Sequence, residues 1–496
     1  MRIRACLGVA ALLMASPLAA QEVPASLSLD DALEIARRNN PTYLQAENNR
    51  HQADWDVKAA YGQLLPSASA NSSVGWQGAG EQQFGGVLTL SDLGFGNLPS
   101  YYSSSYRLSL GYNLSYSTLL GPSQAKAQRS ATQAVIRVSE SALVSQVTSA
   151  YLDVLRQQES VRLSEQQLEN SSFNLRLAQG QLEVGQVTPI DVGLAEVQVG
   201  RSEVGVLQAR NALTTARMRL LQQMGVSVGH EMDLSSTFEL TEPTWEMAEL
   251  FDRALDGNPT LQARSRSRES ALIGVKSARS AYFPSLSLST GWSGFSREAS
   301  NTDIQVAQAE ARVAGSVQSC AATNELYRRL ADPLPSLDCT RFAFTDADRL
   351  QIQSQNDQFP FSFQKSPPSV SLSISIPIFQ GLTRQRNLEA AKLQRDDLDH
   401  QVREQEIALE ADISVGLANA RTAYQSALLE ERNRGLAERQ LELARERYRL
   451  GAITFVELVA SQTALASADR DYTGAVFAYH DMVTNLEALI GASLRN

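Results

Sequence analysis

Cysteine, histidine and long apolar runs are all scarce in this chain. Of 496 residues only three are cysteine, at 6, 320 and 339, and four are histidine, at 51, 230, 400 and 480. No two histidines have metal-ligand spacing, so they read as ordinary surface or interface residues, and no metal or other cofactor is expected. The net charge of -10, without a basic stripe, argues against a nucleic-acid partner. No nucleophile–base pair or phosphate-binding loop is recognisable, which leaves an enzyme without support. No stretch after the N-terminus approaches eighteen continuous apolar residues, so a membrane-spanning helix is excluded. A membrane barrel escapes that test, because its apolar residues alternate with polar ones.

The start of the chain reads as a processing segment. Arg2 and Arg4 precede an apolar run over 5–15, and small residues lead up to Gln21. Residues 1–20 are expected to be a secretory signal peptide, placing the mature chain outside the cytoplasm.

The rest is a duplication. Gly451 lies 266 positions after Gly185, and the same offset pairs Thr454 with Thr188, Glu457 with Asp191, Leu486 with Leu220 and Gly491 with Gly225. A shorter offset of 218 pairs Asn258-Pro259-Thr260 with Asn40-Pro41-Thr42, and Pro284 with Pro66. Glycine between two apolar-periodic segments marks a helix end, because it tolerates left-handed backbone. The expected organisation is a first repeat over 21–229, a connector at 230–244 and a second repeat over 245–496.

Within each repeat the period changes from helical to two and back. A capping box at Ser28–Asp31 opens a helical stretch to about 63, broken at Asn40-Pro41. Over 105–117, Tyr106, Leu108, Leu110, Tyr112, Leu114 and Tyr116 alternate with polar residues and glycine. The same alternation marks 67–76 weakly, and 286–292 and 370–378 clearly. Four strands follow, two per repeat, within segments 66–121 and 284–381. A helix of roughly 60 residues is expected from about 123 to Gly185, on the order of 90 Å long. In the second repeat, Leu409, Ile413, Leu417, Ala420, Tyr424 and Leu428 form a narrow stripe suited to a coiled coil.

A secretory leader, a duplicated helix–hairpin–helix unit, paired glycine turns and Ala-rich helices after them resemble the TolC family of outer-membrane efflux proteins over essentially the whole mature chain. The resemblance implies a mostly α fold with a membrane β-barrel: duplicated coiled-coil helical hairpins plus four strands per protomer. Three chains would form a twelve-stranded barrel and an α-helical tunnel reaching into the periplasm. A four-stranded sheet cannot close alone in lipid, so copies must join. The implied partners are two further copies, a periplasmic adaptor protein with its inner-membrane pump, and outer-membrane lipid. The implied role is a passive export duct. Drug efflux, metal efflux and type I protein secretion all use such a scaffold, and the sequence leaves the three open.

The resemblance also assigns a periplasmic constriction. It falls on the turns at Gly185 and Gly451 and on Asp191, Tyr448 and Glu457. A hydrogen bond between Asp191 and Tyr448 of neighbouring hairpins would hold the closed state, and ringed carboxylates would have raised pKa values unless cations or hydrogen bonds compensate. Ile453 stands where the family often has a basic residue, and Ala460 where a second acidic ring would fall. The plainer reading of Asp191 and Glu457 is that of early-helix carboxylates favoured by the helix dipole. The other reading of the whole chain is a secreted or surface coiled-coil interaction protein with a small soluble β head.

The second hairpin is longer than the first by 42 positions when Pro66 to Gly121 is set against Pro284 to Gly381. Cys320 and Cys339 sit in that excess and are expected to form a disulfide outside the cell. The insert itself is expected as an extracellular loop.

Overall fold

The protein is described from a computed structural model covering residues 26–80, 83–84, 88–89, 98–227, 233–236 and 238–495. The expected signal peptide and part of the expected connector lie outside the described residues. In chain order the elements are α1 (Leu29–Asn39), α2 (Pro41–Gly62), β1 (Ser67–Gln77), β2 (Tyr101–Ser115), α3 (Tyr116–Glu183) and α4 (Pro189–Met224). The second set is α5 (Met247–Gly257), α6 (Pro259–Ser280), β3 (Ser285–Ala299), α7 (Asp303–Arg328), α8 (Asp346–Asn356), β4 (Ser369–Ser375), α9 (Thr383–Arg449) and α10 (Phe455–Ile490). A short parallel pairing joins Ser26–Leu27 to Asp233–Leu234.

The two sets match in length. Helices α1 and α5 have 11 residues each, α2 and α6 have 22, and α4 and α10 have 36. The chain divides into two compact units. One holds the described residues of Met1–Lys58, Ser123–Lys276 and Arg386–Asn496; the other holds Ala59–Pro122 and Ser277–Gln385.

In the helical unit the duplication extends to the cores. One gathers Ala32 and Ala36 of α1, Leu143, Val147 and Tyr151 of α3, and Leu220 and Met224 of α4. Its counterpart gathers Leu250 and Ala254 of α5, Leu409, Ile413 and Leu417 of α9, and Leu486 and Ile490 of α10. These are the same positions at offsets of 218 and 266. Each buried Leu or Ile contributes about 1.5–3 kcal/mol. Tyr151 differs from its mate Leu417 in carrying a hydroxyl, which donates to the Leu27 carbonyl at 2.8 Å and accepts from Ser236 N–H at 3.1 Å.

The buried stripe of α9 runs Leu409, Ile413, Leu417, Ala420 and Ala427. Ala427 replaces the expected Leu428, which is largely solvent-facing, because seven residues from Ala420 returns to the seam. On α4, Ala195, Ser202, Ala209 and Ala216 recur every seventh residue and are all buried. These small residues allow close packing, and the Ser171 and Ser202 hydroxyls meet at 2.9 Å.

In the other unit the strands lie in the order β1-β2-β3-β4, all antiparallel. Fifteen residue pairs join β2 to β3, from Tyr101↔Ala299 to Ser115↔Ser285. One face carries Leu108, Leu110, Leu288, Trp292, Leu372 and Ile374, all exposed in the single chain. The opposite face carries serines that bond across strands: Ser69 to Ser109 at 2.7 Å, Ser73 to Ser105 at 2.8 Å and Ser289 to Ser371 at 2.7 Å.

Strand β2 begins earlier than the expected 105 and yields to helix at Tyr116, seven residues before the expected start. Pro122 therefore lies inside α3. Its fixed φ is compatible with helix, and near the N-terminus few hydrogen bonds are lost. Gly121, inside α3, is thus not equivalent to Gly381, which has φ of 58° before α9. The insert consequently measures 48 positions, the difference between the offsets of 266 and 218. It is not an irregular loop but two helices, α7 and α8, with a disulfide between Cys320 and Cys339.

Candidate constriction at the hairpin turns

Each long helix ends in the same turn. Gly185 and Gly451 have φ of 72° and 71°, left-handed values that an L side chain adopts at a cost. Gly185 N–H donates to the Leu182 carbonyl and Gln186 N–H to that of Gln181, at 3.0 and 2.8 Å. Gly451 N–H donates to Tyr448 and Ala452 N–H to Arg447, again at 3.0 and 2.8 Å. Both are Schellman endings, which satisfy the last helical carbonyls and reverse the chain.

The following helices start on matched caps. Asp191 accepts from the Thr188 N–H at 2.9 Å and from the Thr188 hydroxyl at 2.8 Å. Glu457 accepts from the Thr454 N–H at 2.9 Å, while its own N–H donates to the Thr454 hydroxyl at 3.3 Å. The two carboxylates therefore occupy the third helical position, where they meet unpaired N–H groups and the positive end of the dipole. The early-helix reading describes their bonding within one chain. The T-x-x-D and T-x-x-E spacing was the signal for it.

Tyr448 is 3% exposed and packs its ring against Phe455 at 5.9 Å. Around it lie Ala178, Ala195, Leu441, Ala444 and Leu458, with Val192 and Ile453 alongside. This core draws on α3, α4, α9 and α10, so it fastens the two hairpins of one chain together. Ile453 takes part by packing, as a basic residue there would not. Glu457 and Ala460 are exposed.

The expected Asp191–Tyr448 hydrogen bond is absent within the chain. The Tyr448 hydroxyl is buried with no partner among the described residues, and Asp191 is engaged with Thr188. The two groups are nevertheless close enough to interact. Burial first, and then the Asp191 charge, push the Tyr448 hydroxyl above its ordinary pKa. Within one chain, the Thr188 backbone N–H and then its hydroxyl hold the Asp191 carboxyl below the usual range.

One polar cluster escaped sequence reasoning. His480 is 3% exposed, buried within one chain rather than at a surface or interface as expected of all four histidines. Arg495 donates to the His480 carbonyl at 2.9 Å and to the Thr484 hydroxyl, and stands 3.7 Å from Glu487. Desolvation, then the Arg495 charge, push the His480 imidazole down to about 4. No spacing announces this cluster, because the chain end folds back on α10. Among the described residues no group of three or more His, Cys, Asp or Glu is arranged to hold a metal ion.

Comparison with known proteins gives these elements a setting. Residues 32–226 and 321–492 match the outer membrane efflux protein family. The cobalt-zinc-cadmium resistance protein CzcC of Cupriavidus metallidurans is 26% identical over 170 residues, or 34% of this chain and 40% of that protein. The chain thus aligns with well under two thirds of that relative's length. Among solved structures, CusC superposes with a TM-score of 0.66 at 16% identity, covering 94% of this chain and 92% of its own. The open-state MtrE outer membrane channel of Neisseria gonorrhoeae gives 0.66 at 17% identity, with 94% and 89% covered. At such identities the likeness is one of fold.

Proposed function

The chain belongs to the outer membrane efflux protein family, and from that premise we propose that three copies form a passive channel through the outer membrane into the periplasm. The observation that carries this reading is the two-faced sheet. Leu288, Trp292, Leu372 and Ile374 stand 40%, 49%, 64% and 66% exposed on one face, with serine ladders on the other. In water such an apolar face is a liability; in a bilayer it is the surface a barrel needs. A coiled-coil interaction protein with a soluble head would have no use for it.

The edges support trimerisation. Strand β1 forms one edge of the sheet, and β4 with the short Gln364–Lys365 pairing to β3 forms the other, and open edges are not tolerated in lipid. Three sheets joined edge to edge give twelve strands. A periplasmic adaptor and an inner-membrane pump complete the export path, with energy supplied by the pump. The constriction is assigned to the turns at Gly185 and Gly451, with Asp191, Tyr448 and Glu457 repeated three times around the axis. A neighbouring chain can supply the acceptor that the Tyr448 hydroxyl lacks among the described residues of its own.

For cargo, the partial match to a cobalt-zinc-cadmium resistance protein makes divalent metal cations the first class to examine, and a ring of Glu457 carboxylates would favour cations. The test has two parts. Detergent-purified protein is sized by light scattering and then inserted into planar bilayers. A trimer with discrete conductance is expected; a stable folded monomer without conductance sinks the proposal. Growth of a deletion strain on cobalt, zinc, cadmium and organic drugs then separates the cargo classes.

A further inference from the structure

The insert between β3 and β4 does not simply extend away from the sheet. Its last stretch returns to the apolar face and covers the part of it where β3 carries glycine and serine. Along β3 that face reads Leu286, Leu288, Thr290 and Trp292, and then turns to Gly294 and Ser296. From Leu286 to Trp292 is about 20 Å of strand, hence about 15 Å of height at a tilt near 40°. A barrel's apolar band is about 25 Å tall. Continuing to Ser296 gives about 33 Å of strand and about 25 Å of height, so the remaining two-fifths, roughly, falls on glycine and serine.

Residues 359–363 lie on that remaining part. The Ser104 and Ser296 hydroxyls bond to each other at 3.0 Å, Ser104 is also bonded to the Pro360 carbonyl, and both serines are buried. Phe359 packs tilted against Tyr102 at 5.5 Å, and Phe363 meets Tyr106 edge-on at 4.9 Å. The Tyr106 ring in turn lies across Gly294, where a Cβ would come within 2.5 Å of it. The mount is tied down by Asn356, which exchanges two hydrogen bonds with the Ala299 backbone at 2.8 and 2.7 Å. What this assembly turns outward is Phe361, 82% exposed, with Lys365 in register with Gly294 on the same face.

We propose that residues 359–363 are a lipid-facing patch, which completes the apolar band at its extracellular end and sets Phe361 among the acyl chains of the outer leaflet. This rests on the barrel reading given above. It narrows the expectation of a wholly extracellular insert: the returning arm belongs to the membrane surface. A neighbouring copy does not compete for the patch, because copies join at the β1 and β4 edges and leave the face uncovered. An exposed aromatic beside a lysine suits the boundary between acyl chains and headgroup phosphates. Its counterpart at the other end of the strands is the Tyr116–Phe283 pair at 5.1 Å.

Site-directed spin labelling tests it. The full chain carrying Phe361→Cys, Leu288→Cys or Ser289→Cys is purified as the trimer with Cys320–Cys339 oxidised. It is then reconstituted into phosphatidylethanolamine–phosphatidylglycerol vesicles. Collision rates of each label with oxygen, which concentrates in lipid, and with a water-soluble nickel chelate are compared. The oxygen-to-nickel ratio at 361 is expected to match 288 and to exceed 289 several-fold. An aqueous ratio at 361 beside a lipid ratio at 288 overturns this proposal and leaves the barrel standing. An aqueous ratio at 288 removes the barrel, and this proposal with it. Should Phe361→Cys not trimerise, Ser362→Cys reads the same surface.

Discussion

The Asn258 side chain donates to the Leu489 carbonyl at 2.8 Å, tying the start of α6 to the end of α10 across 231 positions. Its carbonyl oxygen accepts from Leu261 N–H at 2.7 Å, capping α6 as well. In the first repeat, Asn40 does the same for the Gln223 carbonyl and Tyr43 N–H, at 2.7 and 3.0 Å. The Asn-Pro pair, which reads in sequence as a helix break, is a clasp between a helix start and a helix end.

Replacing either asparagine by alanine strips a buried carbonyl and a helical N–H of their partners. About 2 kcal/mol is expected for Asn258→Ala and a similar loss for Asn40→Ala. The clasps belong to separate cores, so the double variant should show the sum of the two losses in denaturant unfolding. Strong non-additivity would mean that the two repeats do not act as separate clasps.

The five left-handed glycines are not alike. A Cβ on Gly451 meets nothing within 4 Å, whereas one on Gly491 would stand 2.2 Å from the Gly257 carbonyl oxygen. Gly451→Ala is expected to cost about 1 kcal/mol, the backbone term alone. Gly491→Ala adds a backbone clash and is expected to lower thermal stability far more, or to prevent assembly. Equal melting temperatures for the two would contradict this.

His480 makes stability depend on pH. Its folded value, about 4, lies below the ordinary 6.5, so the unfolded chain takes up the proton first as pH falls. Stability is full above about pH 6.5 and declines toward pH 4, by up to about 3 kcal/mol. His480→Gln should flatten the dependence across that window. Asp481, whose carboxyl burial pushes up, is retained in both proteins, so the difference in unfolding profiles isolates the imidazole.

At the constriction, Tyr448→Phe removes a hydroxyl with no partner among the described residues of its own chain. The protomer core should therefore keep its stability, while each lost contact between chains favours opening by on the order of 1 kcal/mol. Asp191→Ala should open the channel too, but at a further cost of about 1 kcal/mol from the cap on α4. Glu457→Gln should reduce cation preference in planar-bilayer recordings. Unchanged conductance in the first two and unchanged selectivity in the third would move the gate elsewhere.

Cys320 and Cys339 should yield no free thiol in unfolded, unreduced protein. Opening a link across 19 positions is expected to cost the insert about 3 kcal/mol. Two labelled cysteines per chain would remove the link.

Much of this was legible because the physics is periodic. Alternation along β2 and β3 and the paired offsets located strands, turns and cores; the glycines at 185 and 451 are where the backbone does turn. Boundaries were less visible. Tyr116 continues the strand's alternation yet begins α3, and Pro122 concealed how early that helix starts. The bonding of Asp191 was written in Thr188, but the isolation of the Tyr448 hydroxyl was not, since it depends on what four helices place around it. The returning arm of the insert was invisible for a similar reason: Phe359 and Tyr102 are neighbours only after the sheet has formed.

The disulfide in the insert has one more implication. Cys320 and Cys339 hold their Cα atoms 5.8 Å apart, and Asn324 clamps the backbone of Leu337 from both its N–H and its carbonyl. Between those anchors, residues 330–336 form a closed cassette with a fixed base. Foreign peptide could be grafted there, and natural sequence could drift there, without any strand of the sheet changing its partner.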